Sequence, residues 1–205
     1  MKLNNDLLVL DLETTSAQDE HGYQTNNDII QIGAVLLNRQ LTPIASYDSL
    51  VKPREQVSEY ITQLTGITDE AAQAARPFPT VIAELEAFVT SRVANIKNVR
   101  LCAWGTYFDI PILRRLYKEH LLQFPFSGTA FDVKTMAMMY MSLSGRRTDK
   151  LSVQHVANIL SLEPSGSYHD ALVDAKMEAR ILKRIFDDLD GGTYVNGKLL
   201  KIINK

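Results

Sequence analysis

Cysteine is almost missing from this chain: Cys102 is the only one in 205 residues, and it lies in an apolar stretch. A single cysteine excludes a disulfide framework and a cysteine-built metal site, and its ordinary place is that of a small buried hydrophobe. Long hydrophobic runs are missing too. The first apolar run, Leu7 to Leu10, is far too short to span a bilayer, and Met1 to Asn5 before it does not have the character of a secretory signal. These absences predict a reducing, cytoplasmic setting without membrane association. No excess of one charge is present either, since 22 Lys and Arg against 24 Asp and Glu leave a formal net charge of −2. That balance argues against a protein that holds nucleic acid by bulk electrostatics. It does not exclude an enzyme that meets phosphates through bound metal ions, whose charge a count of side chains omits. Internal repeats and low-complexity linkers are absent as well.

What remains has the make-up of a folded domain, with 45% hydrophobic and 22% charged residues and enough chain for one substantial core. Leu7-Leu8-Val9-Leu10 reads as a strand buried on both faces, and Ile29 to Leu37 as a second. Ile44 to Val51 reads as a third strand, antiparallel to its neighbours, ended by Lys52-Pro53. The period then changes. Tyr60, Ile61 and Leu64 predict a short helix ended by Gly66, and Thr68 with Asp69-Glu70 forms a new N-cap and first turn. Thr80 is the candidate cap of a longer helix with Val81, Leu85, Phe88 and Val89 on one stripe. Val99 to Trp104 reads as another buried strand, and Ile110, Leu113, Leu116 and Tyr117 recur at helical spacing directly after Asp109. Further helices are predicted from about Asp132 to Met141, Ser152 to Leu160 and Asp170 to Asp188. Near the end, Asn196-Gly197 stands between two apolar stretches, the pair favoured in a type I′ hairpin. Three strands followed by helices alternating with strands predict an α/β fold with a mixed central sheet flanked by helices.

The strongest local signal is Asp11-Leu12-Glu13 at the end of the first apolar run. With a period of two, both carboxylates point to one face of the strand and Leu12 to the other. Two acids so placed repel each other unless a cation sits between them, and hard divalent ions such as Mg²⁺ take oxygen ligands of this kind. The spacing alone also fits two solvated acids opening a loop. Asp109 stands where a buried strand turns into a helix, the place where open α/β sheets hold ligands. It equally fits an ordinary helix cap, with Pro111 in the first turn. His169 and Asp174 are five positions apart, about 140° around an ideal helix, so they do not share a helix face. The better geometry places His169 on the loop after Ser165-Gly166-Ser167 and Asp174 on the following helix, facing the same cleft.

Taken together, these elements resemble the DEDDh family of 3′→5′ exonucleases, which includes polymerase proofreading exonucleases, ribonuclease T and oligoribonuclease. The matching stretches run from Val9 to Thr15, Ile29 to Ala34, Leu64 to Thr68, Tyr107 to Leu113 and His169 to Ala175, spread over roughly residues 7 to 186. The resemblance implies a ribonuclease H-like three-layer fold with a five-stranded mixed sheet. It divides the chain into an exonuclease domain, residues 1–190, and a C-terminal β-hairpin extension, residues 191–205. It further implies that Asp11, Glu13, Asp109 and Asp174 ligate two Mg²⁺ or Mn²⁺ ions, with His169 as general base and Glu13 also serving the chemistry. Two metals about 3.5–4 Å apart stabilise the attacking and leaving oxygens of an in-line displacement at phosphorus. An imidazole titrates near neutrality and suits the proton transfer. Nucleoside 5′-monophosphates are the implied products.

By the same resemblance Thr14 meets the terminal 3′-hydroxyl, while Leu12 and Phe108 pack on the terminal bases or serve as ordinary core residues. Trp104 is expected under the site, Arg146, Arg147 and Lys150 either along the phosphates or in a solvated loop, and His120 and His155 in structural or surface roles. Two departures bear on substrate choice: Ser16 stands where the family commonly has Gly, and Trp104-Gly105 replaces a frequent His-Asn. Single-stranded DNA is the favoured substrate and a polymerase or replication protein the candidate partner. The alternatives are an RNA-trimming exonuclease and, from a different class, a non-catalytic nucleic-acid-binding module. The last is disfavoured because all four acids and the histidine are present.

Overall fold

The first apolar run becomes β1 (Leu7–Thr14), and its alternation divides the molecule into layers. Leu8, Leu10 and Leu12 join one buried cluster, while Leu7 and Val9 join another on the opposite face of the sheet. In the computed structural model, which describes residues 3–15, 27–191, 194–195 and 198–199, β1 is followed by β2 (Ile29–Leu37) and β3 (Pro43–Leu50). The short helices α1 (Glu59–Thr65) and α2 (Asp69–Gln73) come next. Ser58 and Thr68 cap them through their side-chain oxygens, and Gly66 ends α1 in the left-handed conformation at φ +77°, which costs glycine little. Then follow α3 (Phe78–Thr90), β4 (Arg100–Ala103) and α4 (Asp109–Glu119). The chain continues with β5 (Phe131–Asp132), α5 (Val133–Leu143), α6 (Val153–Ile159) and α7 (Ala171–Asp190).

The five strands form one mixed sheet in the order β3-β2-β1-β4-β5. β1 pairs antiparallel with β2 and parallel with β4, β2 pairs antiparallel with β3, and β4 parallel with β5. One face carries α3 and α4 through Val81, Ile82, Leu85, Leu113 and Leu116; the other carries α5, α6 and α7 through Tyr140, Val156, Ile181, Leu182 and Ile185. The result is a three-layer arrangement, a mixed five-stranded sheet with helices on both faces. The predicted elements correspond to observed ones, with two corrections. Thr80 is not a cap: α3 starts at Phe78, Pro77 precedes it without a side-chain cap bond, and a proline in the first turn loses no helical hydrogen bond. β5 is a two-residue strand just before the helix predicted from Asp132, too short to show any alternation.

A separate antiparallel ladder joins β6 (Tyr194–Val195) to β7 (Lys198–Leu199). The Asn196-Gly197 turn between them lies outside the described residues, as do Ser16 and most of the polar loop after it.

Gly33 on β2 explains how α7 is seated. A Cβ there would stand 2.1 Å from the Ala171 carbonyl carbon and 2.2 Å from the Leu172 nitrogen, so the first turn of α7 rests on β2 backbone. Gln31, two residues earlier, accepts the buried Ala171 N–H on Oε1 at 3.1 Å and donates from Nε2 to Asp48 at 3.0 Å. Gly33→Ala is therefore expected to cost about 3 kcal/mol, the upper part of the range for overpacking, because backbone atoms have nowhere to turn. Urea unfolding measures it; an unchanged midpoint would mean that α7 has room to lift.

Candidate active site

β1, β4 and β5 run parallel, and β1 outlasts its neighbour: its ladder with β4 ends at Val9↔Cys102. Beyond that point the β4 side of β1 is open, and there the Leu12 N–H donates to Asp109 Oδ1 at 3.2 Å. The mouth of the sheet, past the carboxyl ends of its parallel strands, is where this architecture leaves an open crevice. Asp11 and Glu13 lie on the α7 side of β1, one step past Leu7 and Val9 on the same alternation. Asp109 is the first residue of α4.

The fourth acid comes from α7. Asp170 caps that helix, its Oδ1 accepting the N–H groups of Leu172 and Val173 at 3.0 Å each. Asp174, in the first turn, accepts the His169 backbone N–H on Oδ2 at 2.8 Å. His169 takes φ +66°, a left-handed conformation that a non-glycine residue adopts only when its surroundings hold it there. That bend puts His169 on the loop before α7, exposed, while Asp174 is buried. One donor atom each of Glu13, His169 and Asp174 lie within 4.8 Å of one another.

The acids are held against their charge. Burial first, then the charges of Asp109, Glu178, Glu13 and Asp174, keep Asp11 well above the usual carboxylate range. Glu13 is pushed up to about 8 by burial and by Asp174, Asp109 and Asp170. Burial raises Asp109 to about 7 in spite of the Leu12 N–H that it accepts. Asp174 is raised by burial as well, against the opposing pull of the His169 N–H. Buried carboxylates crowded without a basic partner call for a cation. The Asp174 Oδ1 atom, buried without any hydrogen-bond partner, points the same way. Oxygen donors of this kind fit a hard divalent ion, so the residues present suit Mg²⁺ or Mn²⁺.

A fifth acid, Glu178, went unnoticed in the sequence. It is fully buried one helical turn beyond Asp174, and no side chain donates to either carboxyl oxygen. Burial, then Asp109 and Asp174, hold it well above its ordinary value. A signal existed: Glu178 falls on the inward stripe of α7 with Ala171, Ala175, Ile181, Leu182 and Ile185.

These side chains open into a cleft of about 400 Å³, lined by Asp11, Leu12, Glu13, Asp109, His169 and Asp174 together with Trp104, Tyr107, Phe108, Lys134 and Tyr168. Leu12 and Phe108 both face this cleft and the core beneath it. Trp104 lines the cleft while packing on the α5–α7 cluster. Thr14, at the end of β1, is buried and is not part of the lining. Arg146, Arg147, Lys150, His120 and His155 are also absent from it, and Arg147 instead pairs with Asp149 at 2.7 Å.

Comparison with solved structures finds the same architecture in nucleases. The nuclease domain of 3′hExo, a DEDDh family member solved bound to rAMP, gives a TM-score of 0.75 at 22% identity, covering 90% of this chain and 92% of that one. E. coli Exonuclease I in complex with a dT13 oligonucleotide gives 0.69 at 17% identity, covering 91% of this chain and 44% of that one. The fold is thus ribonuclease H-like. A family model for exonucleases of the RNase T type matches residues 8–182, and the chain belongs to that family. Members of the family need divalent metal ions. Among curated proteins the chain is similar to the PolC-type DNA polymerase III of Streptococcus mutans, 30% identical over 113 residues. The match takes in 55% of this chain and 7% of the length of that relative. Among the described residues, no helix is long and apolar enough to cross a membrane.

Proposed function

We propose that this chain removes nucleotides one at a time from the 3′ end of single-stranded DNA, releasing nucleoside 5′-monophosphates. The observation that carries the reading is the convergence of Asp11, Glu13, Asp109 and Asp174, from one strand end and two helix starts, on one cleft with exposed His169 at its edge. In this reading the four carboxylates hold two Mg²⁺ or Mn²⁺ ions. Bound there, the ions supply positive charge to the phosphate and acidify water. Glu13 and Asp174 stand beside His169, and His169 takes the proton of the attacking water. Leu12 and Phe108 support the terminal bases, and Thr14 belongs to the end of β1 that meets the terminal 3′-hydroxyl. Residues 1–190 form the exonuclease domain and residues 191–205 an extension to it.

Replacing His169 by Ala removes the base and leaves the acids. The rate at neutral pH is expected to fall on the order of 10²–10⁴-fold, the usual worth of a positioned base, and the residue of activity should climb with pH as hydroxide substitutes. Rates of His169→Ala between pH 6.5 and 9 check this. A flat profile would count against the proton-transfer role.

DNA is favoured over RNA because one of the proteins compared is a DNA polymerase and another, Exonuclease I, was solved with a dT13 oligonucleotide. The polymerase likeness also supports a replication partner. The rAMP held by 3′hExo keeps RNA trimming as the second reading. Matched DNA and RNA oligonucleotides, digested side by side in Mg²⁺, decide between them. Faster loss of the RNA would overturn the DNA assignment and leave the chemistry standing.

A further inference from the structure

One wall of the cleft is neither acid nor core. Tyr107 lines it, 49% exposed, two residues before Asp109 on the loop between β4 and α4. Such an exposed ring would ordinarily swing freely, but this one is seated. Gly105 has φ +85°, and a Cβ built there would stand 2.7 Å from Tyr107 Cε1 and 3.0 Å from Cζ, so the ring lies against the glycine backbone. Lys134, at the start of α5, donates from Nζ to the phenol oxygen at 3.3 Å and stands 5.8 Å from the ring centroid. Asp132 ties the two elements together. Its Oδ2 accepts the Thr106 N–H at 3.1 Å, and its Oδ1 accepts the Thr135 N–H, capping α5, at 2.9 Å. Loop and helix are therefore held as one unit, with an aromatic ring and an ammonium group side by side on the cleft wall.

We infer that Tyr107 and Lys134 form a nucleotide subsite beyond the cleaved bond, where an unpaired base stacks on the Tyr107 ring and Lys134 meets the backbone phosphate next to it. The inference deepens the exonuclease reading and rests on it. Three observations support it. Both groups line the cleft that the acids share. Phe108, next in sequence, is the partly buried ring beside Asp109, whereas Tyr107 is the exposed one. The chemistry also matches an unpaired strand, because stacking accepts any base and a single ammonium group suits a phosphate. A paired base would have its faces covered by neighbours, so the subsite favours frayed or single-stranded ends.

Two substrates separate the subsite from the metal centre. One is a single-stranded oligothymidylate; the other is thymidine 5′-monophosphate p-nitrophenyl ester, in which nitrophenol stands in place of the upstream nucleoside. Tyr107→Ala is expected to raise KM for the oligonucleotide on the order of tenfold, the usual loss for one stacked base, with kcat and the rate on the ester unchanged. Tyr107→Phe, which keeps the ring and the fold, should stay within about twofold of the wild type, since stacking does not need the hydroxyl. Lys134→Met should reduce the slope of log KM against log salt by roughly 0.7, one phosphate contact on a single strand. Equal losses on oligonucleotide and ester in Tyr107→Ala would overturn the subsite, as would an unchanged KM. Wild-type turnover of the ester reports on the exonuclease reading separately, because that substrate has no upstream nucleotide to reach Tyr107 and Lys134.

Discussion

Asp174→Asn is expected to remove hydrolysis while leaving the fold in place. The substitution keeps the side-chain oxygen that accepts the His169 N–H, and so keeps the left-handed bend that presents His169 to Glu13. It takes away one negative charge from the cluster and a ligand from the proposed metal site. Ions at such a centre contribute several kcal/mol of charge stabilisation at phosphorus, so a loss of about 10³-fold or more in kcat is expected. Asp11→Ala should do the same from the other side of the cleft. The folded protein should not suffer, because burial, with a smaller push from Asp170, raises the pKa of Asp174 and disfavours its charge. Without metal, above neutral pH, Asp174→Asn should melt no lower than the wild type. Rates on a labelled oligonucleotide, read beside thermal melts in EDTA, check both halves. A wild-type rate in Asp174→Asn would remove Asp174 from the metal site.

The same crowding predicts how stability responds to pH and metal. Glu13 moves from its ordinary 4.5 to about 8 and Asp109 from 3.8 to about 7 in the folded, metal-free protein. An acid whose folded pKa lies above its unfolded one binds its proton more tightly when folded. Its contribution is complete below the unfolded value, near pH 4, and is lost as pH rises through the folded value. The metal-free protein should therefore lose stability between about pH 4 and pH 8. A divalent ion reverses the trend, since it replaces the protons and binds more tightly as they leave. At a hundredfold excess over its Kd, an ion adds about 2.7 kcal/mol, or about 5–10 °C in Tm for a domain of this size. Melting curves with EDTA and with Mn²⁺ at pH 5, 6.5 and 8 give the test. The gap between the two curves should widen with pH. A metal-free Tm that rises steadily to pH 8, with no gap, would contradict the crowding.

Much of this centre could be read from local pattern. Asp11 and Glu13 were paired by the period of a strand, and Asp109 by its place at a strand-to-helix junction. The five-residue interval between His169 and Asp174 separated loop from helix. What could not be read depends on contacts far apart in the chain. Gly33 looks like any strand glycine until α7, well over a hundred residues later, is laid on it. Gln31 lies in the Ile29 to Ala34 match, but a strand pattern does not tell that its side chain holds the Ala171 N–H. β5 has two residues, and two residues carry no periodicity. Thr80 has the chemistry of a cap, but Pro77 and Pro79 start α3 earlier because proline's fixed φ suits a first turn. Glu178 was legible in principle, since a charged residue on the apolar stripe of a helix has to be buried or break the pattern. The exposed Tyr107 was not, because its ring is set by Gly105 and by a lysine from another helix.

The central claim is that these acids remove single nucleotides from a 3′ end with divalent metal. A 5′-labelled single-stranded DNA oligonucleotide incubated with the protein in Mg²⁺, with products resolved at nucleotide resolution, tests it most directly. A ladder shortening one step at a time, release of nucleoside 5′-monophosphates and full arrest by EDTA are expected. Immediate release of a labelled mononucleotide from the 5′ end, large internal fragments, or hydrolysis that EDTA does not stop would contradict it.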